Sequence, residues 1–448
     1  MFGSQVKRLA ATIVDAPPRV PATASEPPTT RERLLGVLAR EGVRVPLAVF
    51  VLSRIYVFLL GAIAMQIDVT LAPVAALGYF MPPLYGLEHY LLQPWRNWDG
   101  HWYALIALEG YGYDRAVTAF YPLYPLLLHW GAWLLDGRLV LAGVLISNVC
   151  FLAALFLLYR LLAEDFSATI ARRTLVLLAL FPTAYYFSAV YSESLFLLLA
   201  VGAFYAARHN WWWLAGLCGF LATLTRVHGI LLLLPLGILF LKQQGWNPRG
   251  WRANPMSLVL VPAGLLVYMA YLRRIWDDPL VMLKAQKGWD RYQATPIQTL
   301  IDGVKQVNGC AVRDWPGANV NSCWWPQIVQ HPSIGTIRDL GWRWGLSESN
   351  ATELAFTILL IVLGVAAFRL LPLAYSSYLA AGIILPLWSP SKVHALMSMG
   401  RFALILFPAF IVLALVARWR PVYAALVVVS AILLAFFAIQ FASWFWVA

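Results

Sequence analysis

The chain has 448 residues, of which 61% are hydrophobic and only 12% charged, and its formal net charge is +12. Soluble domains carry about 25% charged residues, so this composition, with a mean hydropathy of +0.70, excludes a soluble globular protein. Runs of roughly 20 apolar residues, enough to cross a bilayer core, recur along the sequence. We therefore predict an all-α polytopic membrane protein, in which the excess of Arg and Lys marks cytoplasmic loops rather than nucleic-acid binding.

Residues 1–44 are polar, basic and rich in proline, and they lack the apolar core and small-residue cleavage site of a signal peptide. Such a segment holds too little apolar surface to fold alone, which predicts a disordered cytoplasmic tail. Its arginines precede a first span at about 45–67. The positive-inside bias then places the N-terminus in the cytoplasm and a first outer loop, residues 68–120, outside.

Residues 45–448 are predicted to form one transmembrane domain with about 11 helices. The remaining spans are expected at about 139–160, 171–188, 190–208, 212–227, 228–242, 255–275, 352–369, 372–388, 402–417 and 421–441. Two readings of segment 120–135 stay open because prolines interrupt it. A segment that re-enters and leaves on the same side keeps the basic 160–173 loop inside, so we favour it over a crossing segment.

The first outer loop contains a carboxylate and an imidazole two positions apart, Asp99 and His101, between Trp98 and Trp102. A carboxylate within hydrogen-bond reach of a hydroxyl can act as a general base, and aromatic rings pack well against sugars. The structural alternative is that Asp99 caps a short helix while the two tryptophans belong to an interfacial belt. The spacing alone leaves the two readings equal.

A second acidic residue, Glu193, stands at the outer end of a predicted span within Tyr191-Ser192-Glu193-Ser194. A carboxylate at a span boundary costs desolvation free energy unless it is paired or faces a water-filled cavity. We therefore include Glu193 among the candidate catalytic residues. Capping of the span by Ser192 and Glu193 explains the pattern almost as well.

Basic side chains occur on the predicted outer face, against the positive-inside bias. They are Arg226 and His228 after one span, and Lys392, His394 and Arg401 before another. Guanidinium and ammonium groups at such positions need anionic partners, which points to a phosphate site. The alternative is that Arg226 or Arg401 pairs with Glu193 or Asp99.

A large hydrophilic stretch, residues 276–351, is predicted to form a folded outer loop that is rich in Trp, Gly, Asn and Pro. It contains Cys310 and Cys323, whose extracytoplasmic position favours a disulfide. Two unpaired thiols are the alternative, since spacing does not give Cα proximity. Because the loop covers the aqueous side, we expect it to form the wall of the site on that side.

The motifs occur in a defined order. They are Trp98-Asp99-Gly100-His101, Ile106-Ala107-Leu108-Glu109-Gly110-Tyr111, Ala119-Phe120-Tyr121-Pro122-Leu123-Tyr124-Pro125, Tyr191-Ser192-Glu193-Ser194, Thr225-Arg226-Val227-His228, Ala285-Gln286-Lys287-Gly288-Trp289-Asp290-Arg291 and Gly400-Arg401-Phe402. This set, spread over residues 45–425, resembles the PIG-V-type mannosyltransferases. The chain differs from that family by one residue fewer between Asp99 and His101, and by Tyr121 where Phe is usual. The shorter spacing weakens the case for His101 more than that for Asp99.

The resemblance implies a GT-C fold and an inverting transfer of a sugar, usually mannose, from a polyprenyl-phosphate donor to a glycolipid-type acceptor on the extracytoplasmic face. It implies Asp99 as the base and no cofactor. No metal is required, since the chain has no Asp-x-Asp pair and Arg and Lys can hold one phosphate. Candidate acceptor-binding residues are Trp98, Trp102, Tyr121, Gln286, Trp289 and Arg291.

The resemblance also sets the expected cellular context. We expect a prokaryotic homologue in the plasma membrane, or residence in the endoplasmic reticulum if the protein is eukaryotic. A functional alternative is a transporter or flippase of a lipid-linked substrate, whose polar intramembrane residues bind cargo without reacting. Transporters often contain internal repeats of their spans, and none is visible here.

Overall fold

The computed structural model describes residues 41–66, 84–251, 254–307, 350–392 and 394–443. The chain divides into two units, Met1–Arg44 and Val45–Ala448, of which the first is described only for residues 41–44. The predictions for the tail before residue 41 and for the Cys310–Cys323 bridge fall outside the described residues. The same holds for residues 68–83 of the first outer loop and for residues 308–349 of the large outer loop.

The secondary-structure elements of the described residues are helices. The α-helices are α1 (Glu41–Ala64), α2 (Leu87–Leu91), α3 (Asp99–Glu109), α4 (Leu123–Leu134), α5 (Leu139–Asp165), α6 (Ala168–Ala179), α7 (Glu193–Arg208), α8 (Trp212–Thr225), α9 (Leu233–Gln244), α10 (Met256–Trp276), α11 (Val281–Ala285), α12 (Pro296–Val307), α13 (Asn350–Leu370), α14 (Leu373–Leu387), α15 (Met399–Ala403), α16 (Pro408–Val416) and α17 (Arg420–Ala442). Within these ranges, β-pairing is limited to a single bridge between Arg291 and Ser391.

Six helical stretches of the described residues are long and apolar enough to cross a bilayer. They are Glu41–Ala64, Leu139–Asp165, Val227–Gln244, Met256–Trp276, Asn350–Leu370 and Arg420–Ala442. Their outward side chains are apolar, as at Leu52 and Leu59 of α1, which are 69% and 57% exposed. Exposed leucines on a helix of this length are suited to lipid. The predicted class, a polytopic helical membrane protein, is confirmed, whereas the number of about 11 spans stays a prediction.

The segment 120–135, for which two readings were left open, contains the short helix α4. α4 begins at Leu123, directly after Pro122. Proline is tolerated at a helix start because the N–H group that it lacks would have no partner there. α4 packs against α5, to which a turn at residues 135–138 joins it. The preference for a re-entrant segment remains a prediction.

Glycines allow α8 and α10 to pack at short distance. A Cβ atom at Gly216 would lie 2.0 Å from the carbonyl oxygen of Ser257, and one at Gly264 would lie 2.5 Å from that of Phe220. Small residues let membrane helices approach until their backbones touch. This contact fixes the end of α8, which is followed by Arg226.

A buried arginine in α1 holds the segment that precedes α7. The Arg54 guanidinium donates to the carbonyl oxygen of Ala184 at 3.1 Å, to Ser188 Oγ at 3.0 Å and to the carbonyl oxygen of Ala179 at 3.3 Å. A buried cation is tolerated when oxygen atoms surround it. The short 3₁₀ turn Ala184–Phe187 is thereby anchored, and with it the start of α7 at Glu193.

The described part of the large outer loop is more regular than the sequence indicated. Residues 296–307, interpreted as part of an irregular loop, form α12, which is held by buried polar side chains. Thr299 Oγ1 donates to the carbonyl oxygen of Leu387 at 2.7 Å, and Gln306 Oε1 accepts from the Ala395 N–H at 2.7 Å. The composition of residues 296–307 did not predict a helix, because the side chains that hold this helix in place are polar.

Candidate functional site

Asp99 lies at the start of α3, in a turn tied to the segment before α7. The Tyr191 hydroxyl accepts from the Asp99 backbone N–H at 2.9 Å and donates to the carbonyl oxygen of Asn97 at 2.9 Å. The Asn97 amide in turn donates to the carbonyl oxygen of Phe441 in α17 at 3.0 Å. These contacts fix the backbone of Asp99 at the start of α3.

Glu193 begins α7 and is fully buried. Its Oε1 atom accepts a hydrogen bond from Arg226 Nη1 at 2.5 Å and another from Arg401 Nε. The same Arg226 nitrogen lies 3.2 Å from Ser192 Oγ, which is also bonded to the Tyr103 hydroxyl at 2.8 Å. A buried carboxylate needs such pairing, because its charge is otherwise poorly solvated.

Arg401 connects the two carboxylates. Its Nη1 atom donates to Asp99 Oδ2 while its Nε atom donates to Glu193 Oε1. The guanidinium also lies over two aromatic rings, 4.7 Å from the centroid of Tyr191 and 5.3 Å from that of Tyr186. Both carboxylates and an aromatic surface thus fix its plane, an arrangement that the planar fork of Arg permits and the single ammonium of Lys does not.

The segment that carries Arg401 is held from behind by Glu353 in α13. The Glu353 carboxylate accepts from the backbone N–H groups of Ser398 and Met399, each at 3.0 Å, and from that of Gly400 at 3.4 Å. These donors precede or begin the short helix α15. A carboxylate is well suited to the free N–H groups at a helix start. Glu353 thereby sets the position of Arg401 without touching its side chain.

Arg291 approaches from the large outer loop. Its backbone pairs with Ser391, and the hydrogen bonds from Tyr292 N to the carbonyl oxygen of Pro390 (3.0 Å) and from Lys392 N to that of Asp290 (2.9 Å) flank this pair. Arg291 Nη1 donates to the carbonyl oxygen of Ser389 at 2.6 Å. Burial lowers the pKa of the Arg291 guanidinium from its usual range. An arginine side chain carries five N–H donors and a positive charge in proteins, so Arg291 brings a cation to the cavity.

These side chains surround a cavity of about 320 Å³. Its lining combines ionic groups with aromatic and aliphatic ones. The lining residues are Asp99, Tyr103, Ala119, Phe120, Tyr121, Thr225, Arg226, Val227, His228, Met282, Leu283, Gln286, Trp289, Arg291, Leu385, Pro386, Ser389, Met397, Ser398, Arg401 and Phe402. A concave, mostly apolar site with a few convergent polar groups is the usual form of a ligand pocket.

Eight of the candidates from the sequence line this cavity. They are Asp99, Tyr121, Arg226, His228, Gln286, Trp289, Arg291 and Arg401. Glu193 lies directly behind it, bonded to two of its arginines. The pairing of Arg226 and Arg401 with carboxylates, which the sequence left as an alternative to phosphate binding, is present, yet both arginines also face the cavity.

Three other candidates lie outside the lining. His101 is buried, and burial first, with the nearby Arg96 charge second, lowers the pKa of its imidazole to about 4. His394 Nδ1 is bonded to Asn350 Oδ1 at 2.9 Å, and the carbonyl oxygen of Lys392 accepts from Gln306 Nε2 at 3.1 Å. His101 thus lies inside the fold within α3, and the hydrogen bonds of His394 and Lys392 help to hold these two residues in place.

The two tryptophans that flank Asp99 are also absent from the lining. The Trp102 ring stacks on Phe120 with centroids 6.2 Å apart and meets the edge of Trp289 at 5.2 Å. Trp102 thus supports two rings that do line the cavity. Trp98 precedes α3 with a positive φ of 57°, packed at the edge of the core.

Several residues of the site were missed by sequence reasoning, above all Glu353. The only signal for it is a carboxylate at the start of an apolar span, which is a reason to expect a function. Phe402 belongs to the motif Gly400-Arg401-Phe402 but had no predicted role, and Tyr103 directly follows Trp102. Met282 and Leu283, in contrast, belong to ordinary apolar sequence. In the described ranges, no cluster of three His, Cys, Asp or Glu side chains could hold a metal ion.

Fold and site together define a polytopic membrane protein with an ionic cavity among the ends of its helices. Residues 41–242, somewhat less than half of the chain, match the family model described as Mannosyltransferase (PIG-V). This match includes Asp99, Glu193 and Arg226 and confirms the resemblance inferred from the motifs over that part of the chain. Arg291 and Arg401 lie beyond the matched residues.

The chain is also similar to "GPI mannosyltransferase 2" of Cryptococcus neoformans var. neoformans serotype D, in strains JEC21 and B-3501A. Each of the two relatives is 33% identical over 157 residues, which cover 31% of this chain and 34% of the relative. The chain thus spans about a third of the length of these relatives. Both are fungal, so the expected prokaryotic origin is not borne out. No solved structure matches the chain.

Proposed function

We propose that this protein is an inverting mannosyltransferase of the GT-C type, with about 11 spans, acting at the extracytoplasmic face of its membrane. The donor is a polyprenyl-phosphate-linked mannose, and the acceptor is a glycolipid such as a glycosylphosphatidylinositol precursor. The family match and the names of the relatives support a glycosyltransferase. The endoplasmic reticulum is the proposed location, because the relatives are eukaryotic.

The observation that carries this proposal is the state of the Asp99 carboxylate. Arg401 is bonded to Oδ2, whereas no protein donor within the described residues bonds Oδ1, and Asp99 lines the cavity. One oxygen is therefore oriented by Arg401 while the other is available to a ligand. A positioned carboxylate of this kind can accept the proton of an acceptor hydroxyl as that hydroxyl attacks.

The reaction is a single displacement at the anomeric carbon. The acceptor oxygen forms a bond to that carbon as the bond to the phosphate oxygen breaks, and the polyprenyl phosphate leaves with the electron pair. The acceptor proton moves to Asp99 Oδ1. Attack opposite to the leaving group inverts the anomeric configuration, and the reaction consumes no redox equivalent.

Arg226 and Arg401 stabilise the charge that develops on the leaving phosphate. Glu193 holds both guanidinium groups at the cavity wall, since its Oε1 atom bonds both of them. Donors that are fixed before the reaction do not have to reorganise when charge appears, which is a large source of catalysis. Glu193 accordingly acts by orienting two cations rather than by proton transfer.

The acceptor side of the cavity is proposed to be formed by Tyr121, Gln286 and Trp289. Two of these residues come from the described start of the large outer loop, which the sequence assigned to the acceptor. A tryptophan ring offers a flat apolar surface for a sugar ring, and the glutamine amide can both donate to and accept from hydroxyl groups. His101, Lys392 and His394 are not assigned to either substrate, because the cavity lining excludes them.

The test is mannose transfer by Asp99→Asn in purified, reconstituted protein with polyprenyl-phosphate mannose as donor. Asparagine keeps the shape of the side chain but cannot take up the proton, so turnover should fall by about 10² or more. Glu109→Gln is the matched control, because it removes an exposed carboxylate from the same helix. Near-normal transfer by a folded Asp99→Asn protein would exclude Asp99 as the base.

A further inference from the structure

The guanidinium groups of the cavity are not all paired. Three arginines line it, Arg226, Arg291 and Arg401. Glu193 forms ion pairs with Arg226 and Arg401, and Asp99 forms one with Arg401, whereas Arg291 forms none within the described residues. Glu353 lies behind the lining, where three backbone N–H groups bond its carboxylate.

The uncompensated charge belongs to Arg291. Both other arginines make ion pairs, whereas the guanidinium of Arg291, within the described residues, has one hydrogen-bond partner, the carbonyl oxygen of Ser389 at 2.6 Å. A guanidinium has five N–H donors, and a buried charge without a counter-ion costs free energy. Asp99 and Glu353 act on Arg291 through space but do not form an ion pair with it.

We propose that Arg291 is the principal contact for the phosphate of the donor, and that the cavity is matched to an anion of a single charge, a phosphodiester. This inference rests on the proposed function for the identity of the donor as a sugar-linked lipid. It changes the role expected from the sequence, which placed Arg291 with the acceptor. A sugar-linked polyprenyl phosphate is a phosphodiester with one charge, which neutralises the one free positive charge.

The location of Arg291 supports this assignment. Its backbone is fixed by the pairing of residues 290–292 with 390–392, so the guanidinium stands on a rigid support. The apolar side chains of Met282 and Leu283 line the same cavity. An anion held by Arg291 would therefore lie in a cavity that also offers apolar surface, which suits the phosphate of a prenyl lipid.

The competing explanation is that Arg291 only joins two loops through Ser389. Arg291→Gln separates the two roles, because a glutamine amide can still donate to a carbonyl oxygen but carries no charge. Lys287→Gln is the matched control. Lys287 lies in the 3₁₀ turn Gln286–Trp289, which precedes Arg291, and is exposed, so its loss removes one charge from the loop without altering the cavity lining.

The experiment measures binding of farnesyl methyl phosphate, a phosphodiester, to the purified full-length chain in a neutral detergent. Arg291→Gln should weaken binding by about 10- to 100-fold, the usual effect of losing a charge-assisted hydrogen bond. Lys287→Gln should leave it unchanged and Arg291→Lys should retain most of it. Unchanged binding by a folded Arg291→Gln protein, or an equal loss in both Gln variants, would overturn the assignment.

The charge match has its own test with farnesyl diphosphate. Because the charges of Arg226 and Arg401 are already balanced by Glu193 and Asp99, the additional phosphate should gain little, so the diphosphate should bind no more tightly than the diester. Binding of the diphosphate that is tighter by tenfold or more would contradict a site matched to one charge.

Mannose transfer by the same preparations separates this inference from the proposed function. If the wild-type chain binds the diester through Arg291 but transfers no mannose, the proposed function fails and the anion contact stands. If the wild-type chain transfers mannose and Arg291→Gln binds and transfers normally, the function stands and the anion contact fails. Should Arg291→Gln not fold, Arg291→Lys, together with the salt dependence of diester binding, replaces it: a loss of binding in high salt is expected, and salt-independent binding contradicts the assignment.

Discussion

The carboxylate of Glu353 lies 3.0 Å from the backbone nitrogen of Met399, and this contact fixes the start of the short helix that carries Arg401. Glu353 stands on α13, almost fifty residues before Arg401 in the sequence. The first N–H groups of a helix have no acceptor within that helix. For the five-residue helix α15, the membrane helix α13 supplies this acceptor through Glu353. The orientation of Arg401 toward Asp99 depends on a residue that does not touch the cavity.

Glu353→Gln should lower mannose transfer by about tenfold, because its amide group would face backbone N–H donors and leave a buried donor unsatisfied. The defect should be non-additive with that of Arg401→Lys, since both changes act on the same guanidinium. A double-mutant cycle on kcat/KM measures this coupling. Glu88→Gln, which removes the exposed partner of Arg138, serves as the control. Strict additivity of Glu353→Gln and Arg401→Lys would show that Glu353 does not act through Arg401.

Arg401→Lys should be severe although the charge is kept. One ammonium group cannot bond Asp99 and Glu193 in the geometry of Nη1 and Nε, and it loses the flat contact over Tyr191. We expect a fall in transfer of at least about tenfold with a raised KM for the donor, and a lower melting temperature because a buried ion pair is broken. Steady-state kinetics with separate donor titration and a thermal unfolding scan measure both effects. Wild-type donor KM in this variant would argue against contact between Arg401 and the phosphate.

The free energy of unfolding should decrease as the pH is lowered, because His101 is buried in its neutral form. The folded-state pKa is lowered to about 4, below the ordinary 6.5, so the unfolded state binds the proton first. The stabilisation is complete above about pH 6.5 and is lost as the pH falls toward 4. This stabilisation is on the order of 3 kcal/mol at most, since one pKa unit corresponds to about 1.36 kcal/mol.

Thermal unfolding of the wild-type chain and of His101→Gln between pH 7 and 4 measures this effect. The melting temperature of the wild-type chain should decline with acid over that interval, and the decline should be shallower in the variant. Parallel curves for the two proteins would rule out His101 as the titrating group.

Much of the site was predictable from the sequence because its charged residues are anomalous in a membrane chain. Asp99, Glu193, Arg226 and Arg401 come from separate motifs, yet each lies at the end of a helix, and the fold brings these ends together. An intramembrane or boundary charge needs a partner, so four such residues are expected to find one another. The sequence thus predicts the cluster, although not which residue pairs with which.

Other features of the site depend on three-dimensional geometry and could not be predicted from the sequence. His101 is two positions from Asp99, and on a helix such residues do not share a face, so their proximity in the motif does not imply that both side chains reach the cavity. Glu353 accepts hydrogen bonds from backbone N–H groups, so no partner side chain in the sequence indicates its role. Arg291 was predicted as part of the site, but its free charge became visible only when the partners of the other two arginines were known.

Trp289→Ala should impair the acceptor more than the donor. The ring lines the cavity and meets Phe120 edge-on at 5.7 Å and Trp102 at 5.2 Å, so it forms part of an aromatic wall rather than of the ionic cluster. Removal of a sugar-stacking surface should raise the KM for the acceptor about tenfold, which corresponds to roughly 1.4 kcal/mol, with donor KM changed by less than about threefold. Trp133→Ala, at an exposed position in α4 (69%), is the control for loss of a surface tryptophan. The measurement titrates each substrate at saturation of the other, and a change confined to the donor would place Trp289 with the donor instead.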